Sequence, residues 1–149
     1  MDIIVKRFNE LKNEELYEIL KARSDIFVVE QKSIYSDMDN KDQNAIHIMI
    51  KEDGRLCGYC RVLDKNVSFD TVSIGRVITT VRKKGYGRIL IEKAIEAAKE
   101  VFNGYIIKIE AQVQALDFYH KFGFEEFGDT FLEDGILHIN MKWKDAITC

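Results

Sequence analysis

The sequence predicts a single α/β domain, of mixed α+β type, in which a mostly antiparallel mixed sheet is flanked by helices. The chain has 149 residues, which is the usual size of one well-cored domain. Its 46% hydrophobic and 32% charged residues are typical of a folded globular protein. Strand-like segments come first as a hairpin, and a strand-helix-strand unit follows later. Because the chain has no proline and no low-complexity linker, we expect residues 1–149 to form one domain.

The N-terminal half predicts a strand, a helix and a hairpin. Ile3 to Phe8 is a short apolar strand, and Asn13 with two following glutamates is typical of a helix cap with an acidic first turn. Ser33 to Asn44 is polar and is predicted to be a loop. Asp53-Gly54 favours a tight turn between two antiparallel strands, residues 45–50 and 56–63. The packing face of the helix repeats at helical spacing: Leu16, Ile19, Leu20, Arg23 and Phe27.

The C-terminal half predicts two more helices among strands. A strand over residues 71–80 leads into a basic loop and an amphipathic helix that ends at Asn103-Gly104. Gly123 closes a short helix over residues 115–122. The remaining strands are predicted over residues 105–110, 124–127 and 136–143. Free sheet edges near the C-terminus could pair between two copies, so a homodimer is one expectation.

Charge and hydropathy exclude two classes of partner. The net charge is −3 and the isoelectric point is about 5.7, so the molecule has no overall field for a nucleic-acid backbone. No apolar run approaches the roughly 18 residues of a membrane span, and the first residues lack a signal core. We therefore expect a cytoplasmic protein without nucleic-acid or membrane partners.

Neither the cysteines nor the acidic segment predicts a metal site. Cys57 and Cys60 have C-x-x-C spacing within an alternating strand, but a zinc site needs four ligands and no second pair follows. We expect reduced strand cysteines, with Cys149 as the last residue. The acidic segment containing Asp37, Asp39 and Asp42 does not fit a calcium loop, because Lys41 occupies its fifth position. That segment is interpreted as a solvated loop or as an acidic rim that attracts a cationic amine.

The basic glycine loop, Arg82 to Gly87, carries the strongest functional signal. A helix that starts after a strand presents free backbone amides and a partial positive charge to anions. Gly85 and Gly87 allow the backbone to approach a ligand closely. The pattern lacks the Walker lysine motif, and Leu90 stands where a dinucleotide fingerprint needs its third glycine. Four cations in seven positions predict a ligand with several phosphates: Arg82, Lys83, Lys84 and Arg88.

Two motifs resemble the GNAT acetyltransferase superfamily. Arg82-x-x-Gly85-x-Gly87, between an apolar strand and an amphipathic helix, is similar to the acetyl-CoA loop of that family. Residues 115–124, ALDFYHKFGF, resemble its next motif, a short tyrosine-bearing helix before a Gly-Phe strand entry. Further stretches resemble the ElaA-like branch, so that the resemblance covers nearly the whole chain: Arg23 to Gln31, Ile74 to Val77 and Glu133 to Ile139.

The resemblance implies a GNAT-like fold and an acetyl-CoA-dependent N-acetyltransferase that acts on a small-molecule amine. It implies that Tyr119 protonates the departing coenzyme sulfur as a general acid, although a core tyrosine beside Phe118 and Phe122 is the alternative. It also implies that strand amides hold the pantetheine arm and that loop amides hold the pyrophosphate. The implied cofactor-binding residues, with Tyr119, are Val77, Ile78, Thr79, Arg82, Lys83, Lys84, Gly85, Tyr86, Gly87 and Arg88.

The proton acceptor for the amine is open between several groups. Glu110 ends the strand before the tyrosine helix and is the first candidate; Glu30, His47 and His138 are others. Arg76 is a charge within an apolar strand, which needs an anionic partner, so we expect it to pair with a carboxylate that lines the acceptor pocket.

Two other functions remain open. One is acyl-homoserine lactone synthesis, because arginine, phenylalanine and aspartate positions loosely resemble that fold-related family, although its members lack the glycine loop. The positions concerned are Arg23, Phe27, Asp37, Asp39 and Arg76. The other is a non-catalytic module that binds an acyl-CoA and regulates a partner.

Overall fold

The computed structural model describes residues 1–32 and 36–146, and it contains one seven-stranded sheet with three α-helices. Residues 33–35 of the predicted loop and the last cysteine, Cys149, lie outside the described residues. The strands are β1 (Asp2–Arg7), β2 (Ile46–Glu52), β3 (Arg55–Leu63), β4 (Val72–Thr79), β5 (Ile106–Gln112), β6 (Glu125–Glu133) and β7 (Ile136–Lys144). The helices are α1 (Asn13–Arg23), α2 (Tyr86–Phe102) and α3 (Leu116–His120), and a π-helix, Ser24–Glu30, continues α1.

The sheet has the order β1-β2-β3-β4-β5-β7-β6, and all neighbours are antiparallel except β4 and β5. This confirms the predicted fold class. The β2–β3 hairpin turns at Asp53 and Gly54, which both have positive φ, as a tight hairpin turn requires. None of the described helices is long and apolar enough to cross a membrane.

The two faces of the sheet carry different helices. On one face, α2 packs its apolar side against the central strands through residues such as Leu90, Ile91 and Ala94, all fully buried. On the other face, α1 and the π-helix bury Ile19 and Ile26 against β2 and β3. The core therefore lies on both sides of β2, β3 and β4.

Two boundaries differ from the prediction. The first helix changes to π geometry at Ser24, where i→i+5 hydrogen bonds widen the turn, rather than continuing as one α-helix to Phe27. The strand predicted over residues 124–127 is β6, which runs to Glu133 because its register on β7 shifts between Phe127 and Phe131. β6 is a sheet edge with mostly exposed residues, and its pairing with a second copy stays a prediction.

Candidate active site

A cleft opens in the sheet where β4 and β5 separate. The two parallel strands pair only at Val72 with Ile107 and at Ser73 with Lys108, and then they diverge. The cleft has a volume of about 660 Å³ and extends from the apex at Ser73 along β4 to Thr79. β4 therefore has one edge beyond Ser73 that is not paired with β5, and its backbone groups there are left for a ligand.

A bulge in β4 shapes the cleft wall. Its pairing with β3 jumps between Gly75 and Ile78, and Arg76 adopts a φ of +53°. A β-branched or bulky residue rarely tolerates such a conformation, so the surrounding structure must hold it. Of the three strand positions predicted to bind a cofactor, Val77 and Thr79 are half-buried at the cleft, while the Ile78 side chain lies in the core against α1.

The start of α2 has the features of an anion site. Its N-cap is Gly85, with a φ of +76°, which offers no side chain to cap the first amides, and no acidic residue lies in the first turn. A Cβ atom at Gly87 would lie 3.2 Å from the ring of Phe118, so only a glycine lets the loop pack this closely on α3. The free amides and the helix dipole fit a phosphate group.

The four predicted cations of the loop are exposed. Arg82 pairs with Glu30 at 2.9 Å, and Arg88 pairs with Glu92 along the helix surface. Lys83 and Lys84 make no ion pair with any residue in the described part of the chain. The loop therefore keeps an excess of positive charge. The side chain of Tyr86 is buried in the core and its hydroxyl bonds Glu52, so the predicted cofactor role of Tyr86 stays a prediction for its backbone amide.

Tyr119 lies at the cleft with its ring packed edge-on against Phe118 and Phe124. It is 9% exposed, so it is a core aromatic that also borders the cleft, and its role as a general acid stays a prediction. Burial raises the pKa of Tyr119 well above its ordinary value, which keeps the hydroxyl protonated. No group among residues 1–32 and 36–146 bonds that hydroxyl.

Glu110 lies on β5 at the mouth of the cleft. Burial of the carboxyl, followed by a hydrogen bond and charge repulsion from Glu133, raises the pKa of Glu110 to about 7, against the attraction of Lys41 and Arg76. Glu133 ends β6 and lines the same cleft. A carboxyl group with a pKa close to neutrality is suited to taking up a proton.

A closed ring of three arginines and three aspartates borders the cleft. We call it the arginine–aspartate ring; its members alternate in the order Arg23, Asp37, Arg76, Asp39, Arg61 and Asp42. The contacts measure 2.5 to 3.3 Å. The ring joins α1, β3 and β4 to the segment over residues 37–42 and confirms the expected carboxylate partner of Arg76. Its six charges cancel.

Burial distinguishes the ring from a solvated acidic loop. Asp37 and Asp42 are 8% and 7% exposed, so the sequence-based interpretation of this segment as a wet loop or an amine-attracting rim was wrong. Burial on its own would raise the pKa of Asp42, but the hydrogen bonds and charges of Arg23 and Arg61 outweigh it and lower that pKa. Asp39, whose pKa Arg61 and Arg76 lower against the effect of burial, and Asp42 are therefore ionised, and arginines already neutralise them. The described residues hold no cluster of potential metal ligands.

The other proposed bases are placed differently. His47 is fully buried between the Tyr59 hydroxyl and the Asp42 carbonyl, at 2.7 and 2.9 Å, and burial lowers its pKa. It supports the ring rather than facing a ligand. His138 lines the cleft and bonds the Ile136 carbonyl through Nδ1, while Glu30 pairs with Arg82 on the surface.

Three residues at or beside the cleft were not identified as functional candidates from the sequence. Arg61 carries the signal that identified Arg76, a charge within an apolar strand, and could have been found by it. Ser73 is 3% exposed, lines the cleft apex and bonds no group in the described part of the chain through its hydroxyl. Glu133 had no signal, because it joins Glu110 in the cleft lining only through the fold. Cys57 and Cys60 are free and buried in β3, as expected.

Comparison with known proteins places this geometry in a family. Residues 9–145 match the model described as an acetyltransferase (GNAT) domain. A UPF0039 protein of Schizosaccharomyces pombe is 37% identical over 95% of this chain and 96% of its own. A crystal structure titled an acyl-CoA N-acyltransferase, from Pseudomonas aeruginosa, superposes with a TM-score of 0.89 at 35% identity, over 95% of this chain and 99% of its own. Escherichia coli ElaA gives 0.87 at 31%, over 95% and 97%.

The fold also extends to a more distant group. A structure described as a CoA-dependent acyl-homoserine lactone synthase superposes with a TM-score of 0.75 at 15% identity, over 94% of this chain and 81% of its own. At that identity the likeness shows a shared fold and nothing about the substrate.

Proposed function

The chain belongs to the GNAT acetyltransferase family, and from this premise we propose that it transfers an acetyl group from acetyl-CoA to the amine of a small molecule in the cytoplasm. Family membership makes it an acyltransferase that uses an acyl-CoA. The acetyl group, the amine and the residues that act on them are the proposal. A homodimer formed through its exposed edge strand is a further expectation.

The observation that carries the proposal is the alignment of two unsatisfied backbone features along one wall of the cleft. The edge of β4 from Gly75 to Thr79 lacks a β5 partner, and it leads directly to the uncapped start of α2. A long ligand with an amide-bearing arm and a diphosphate would satisfy both. Because acetyl-CoA has these two parts in this order, it fits the wall from Val77 to Arg88.

The proposed cofactor-binding role of each residue follows from its place on the β4 edge or in the basic glycine loop. Backbone groups of Val77, Ile78 and Thr79 pair with the pantetheine arm as another strand would, so their side chains matter little. The amides of Lys83 to Arg88 take the diphosphate, and the side chains of Arg82, Lys83, Lys84 and Arg88 supply countercharge. Bound acetyl-CoA supplies a thioester whose C–S bond breaks as the new N–C bond forms.

Two groups at the cleft handle the protons. Glu110 accepts a proton from the acceptor ammonium, which must be neutral to attack; a pKa of about 7 lets the carboxylate act near neutral pH. Tyr119 donates its hydroxyl proton to the leaving sulfur, and its raised pKa keeps that proton in place until it is needed. Arg76, held by Asp37 and Asp39, fixes the bulge that turns the β4 edge towards the cleft.

The first experiment is calorimetric titration of acetyl-CoA into the wild type, Lys84→Glu and Lys65→Glu. Lys84 lies in the loop, whereas Lys65 is an exposed lysine of the β3–β4 connection at the other end of these strands. Gly85 is left intact because its φ of +76° makes any side chain there strain the backbone. We expect Lys84→Glu to weaken binding by roughly tenfold or more and Lys65→Glu to change it little.

Absence of saturable binding to the wild type would sink the acetyl-CoA proposal. Equal loss in both variants would mean that the loop does not hold the phosphates. Dephospho-CoA as a second ligand reports how much of the affinity comes from the ribose phosphate.

A second variant separates catalysis from a binding-only role. Tyr119→Phe removes the proton donor and keeps the packed ring, so we expect turnover to fall by roughly 10²-fold with coenzyme affinity unchanged. If turnover and binding are both unaltered, Tyr119 is not the acid. Coenzyme binding by the wild type without turnover of any amine would instead support a regulatory acyl-CoA module. Product analysis with S-adenosylmethionine as the acceptor tests lactone synthesis directly.

A further inference from the structure

The closed end of the cleft is lined by a serine hydroxyl without a hydrogen-bond partner. Ser73 is the last residue of β4 that pairs with β5, and it lines the cleft where the two strands separate. It is 3% exposed, and its Oγ atom bonds no group in the part of the chain that the structure describes. A buried hydroxyl that has lost its hydrogen bonds to water costs free energy unless another group replaces them. In the wall of a cleft, a bound ligand can supply that group.

A second polar atom without a partner lies beside Ser73. The Nε atom of Arg61 is buried and bonds none of the described residues, although the terminal nitrogens of this guanidinium bond Asp39 and Asp42. Arg61 pairs with Gly75, which lies two residues from Ser73 along β4. Residues in this diagonal relation share one face of the sheet and are within reach of long side chains. One ligand oxygen can therefore bond both Arg61 and Ser73.

Ser73 lies on the same face of the sheet as Glu110. Ile74, next to Ser73 on β4, packs in the core cluster that contains α2, so Ser73 points to the opposite face. Ile109, next to Glu110 on β5, packs in that same cluster, so Glu110 also points away from α2. Ser73 pairs with Lys108, and Glu110 lies two residues further along β5, a distance of about 7 Å. The two side chains can therefore contact the two ends of one small molecule.

The charges around Arg61 decide which kind of oxygen fits. Asp39 and Asp42 already share the positive charge of Arg61. A ligand carboxylate bonded there would lie beside two ionised aspartates, and their repulsion would offset the bond. Lys41, another cation that lines the cleft, donates to the Ser68 hydroxyl on the exposed connection between β3 and β4. An uncharged oxygen, either a hydroxyl or an amide carbonyl, meets the two unpartnered groups without this repulsion.

We propose that Ser73 is a specificity-determining residue that binds an uncharged oxygen of the acceptor, so that the acceptor is an amine carrying a hydroxyl or an amide carbonyl. The inference rests on the proposed function, in which Glu110 takes the proton of the acceptor amine, and deepens it. With the nitrogen at Glu110 and the oxygen at Ser73, about two to four carbon atoms separate them. Simple alkyl amines leave both Ser73 and the Nε atom of Arg61 without a partner, and the site disfavours them.

The test is an NMR titration of the backbone amides with three amines of matched length, each without coenzyme and with excess coenzyme A. The first amine, 3-aminopropan-1-ol, carries a hydroxyl; n-butylamine has a methyl group in its place, and β-alanine has a carboxylate. For the wild type we expect 3-aminopropan-1-ol to bind roughly five- to tenfold more tightly than the other two. The shifts should include the amides of Ser73 and Lys108, at the closed end of the cleft.

Two serine variants assign the preference to one hydroxyl. Ser73→Ala should bind 3-aminopropan-1-ol no more than about twofold more tightly than n-butylamine. Ser68→Ala is the matched control, because Ser68 also lines the cleft but is exposed and already accepts a hydrogen bond from Lys41; we expect it to keep the wild-type preference. Thermal unfolding gives a second measurement. Since the Ser73 hydroxyl has no partner in the described part of the free protein, the melting temperature of Ser73→Ala should stay unchanged or rise.

Several results would overturn the proposal. Wild-type protein that binds 3-aminopropan-1-ol and n-butylamine equally, or that binds none of the three amines in either condition, does so. Tighter binding of β-alanine would mean that the site takes a charged group. A preference that persists in Ser73→Ala while its melting temperature falls would mean that the hydroxyl holds a buried water instead.

Failure of this inference can be told apart from failure of the proposed function. The amine titration detects acceptor binding even without coenzyme, whereas calorimetry with acetyl-CoA detects coenzyme binding without an acceptor. Saturable acetyl-CoA binding together with no preference among the amines removes the role of Ser73 alone. A preference for 3-aminopropan-1-ol without acetyl-CoA binding removes the proposed acetyl-CoA chemistry and keeps the amine site.

Discussion

Two groups of cations lie near the same cleft, and they differ in burial and in ion pairing. The arginines of the arginine–aspartate ring are buried or mostly buried, and each contacts two aspartates. The cations of the basic glycine loop are exposed, and two of its lysines have no ion-pair partner in the described part of the chain. The buried charges are already neutralised and hold the scaffold in shape, whereas the exposed charges remain available to a ligand. In this protein, therefore, the pairing of a cation indicates its role better than its presence near the cleft.

The largest expected effect comes from breaking the ring. Arg23→Met leaves two buried aspartates without a shared cation, which should lower the free energy of unfolding by about 3 to 5 kcal/mol. Arg88→Met in the loop removes an exposed charge and should cost less than about 1 kcal/mol. Urea denaturation of both variants measures the difference. Similar costs in the two variants would contradict the distinction between scaffold and ligand cations.

Low pH should also lower the stability of the folded protein by acting on the arginine–aspartate ring. Arg23 and Arg61 lower the pKa of Asp42 in the folded state, against the effect of burial, so its contribution to stability is present above the unfolded pKa and is lost as the pH falls below about 4. We expect the melting temperature to drop steeply there. Asp42→Asn should start lower at neutral pH and show a shallower drop, while Asp129→Asn, on the exposed β6, should follow the wild-type curve. An unaltered slope in Asp42→Asn would mean that the ring does not carry the acid sensitivity.

Salt should weaken the effect of the exposed loop cations and leave that of the buried ring nearly unchanged. Raising NaCl from about 50 mM to about 500 mM screens exposed charges, so the dissociation constant of acetyl-CoA should rise by roughly five- to tenfold. The ring is shielded from solvent, so the melting temperature of the free protein should change by no more than about 2 °C. Calorimetry and thermal unfolding at matched salt give both values. Salt-independent coenzyme binding would show that the loop cations do not contact the phosphates.

The smallest effect concerns Arg82, the loop arginine that pairs with Glu30 of the π-helix. Glu30→Gln releases Arg82 from a half-exposed ion pair worth less than about 1 kcal/mol, so coenzyme affinity should rise by about two- to threefold. Glu92→Gln, which releases Arg88 on the helix surface, is the matched comparison. A loss of affinity in Glu30→Gln would mean that Glu30 holds Arg82 in its binding position rather than competing for it.

The fold and the loop could be predicted because their signals are local. The apolar character of β2 and β3, the turn at Asp53-Gly54 and the glycines of the loop are each contained within a few neighbouring residues. The π-helix could not be predicted, because its sequence fits an ordinary helical face and only tertiary packing selects the wider turn.

The parts of the site that were missed depend on long-range contacts. Asp37, Asp39 and Asp42 resemble a hydrophilic loop in sequence, and their burial follows from arginines that lie far away along the chain. Arg61 is the exception, since the reasoning applied to Arg76 would have identified it.

The contact between Gly87 and Phe118 links two segments that are far apart in the sequence. Gly87 lies in the first turn of α2, and the ring of Phe118, next to Tyr119, fills the space where a side chain at position 87 would lie. Substitutions at positions 87 and 118 are therefore expected to depend on each other during evolution. A larger residue at one requires a smaller residue at the other, or the tyrosine moves relative to the loop. Covariation of positions 87 and 118 among homologues would thus record the geometric constraint that keeps the two halves of the site in register.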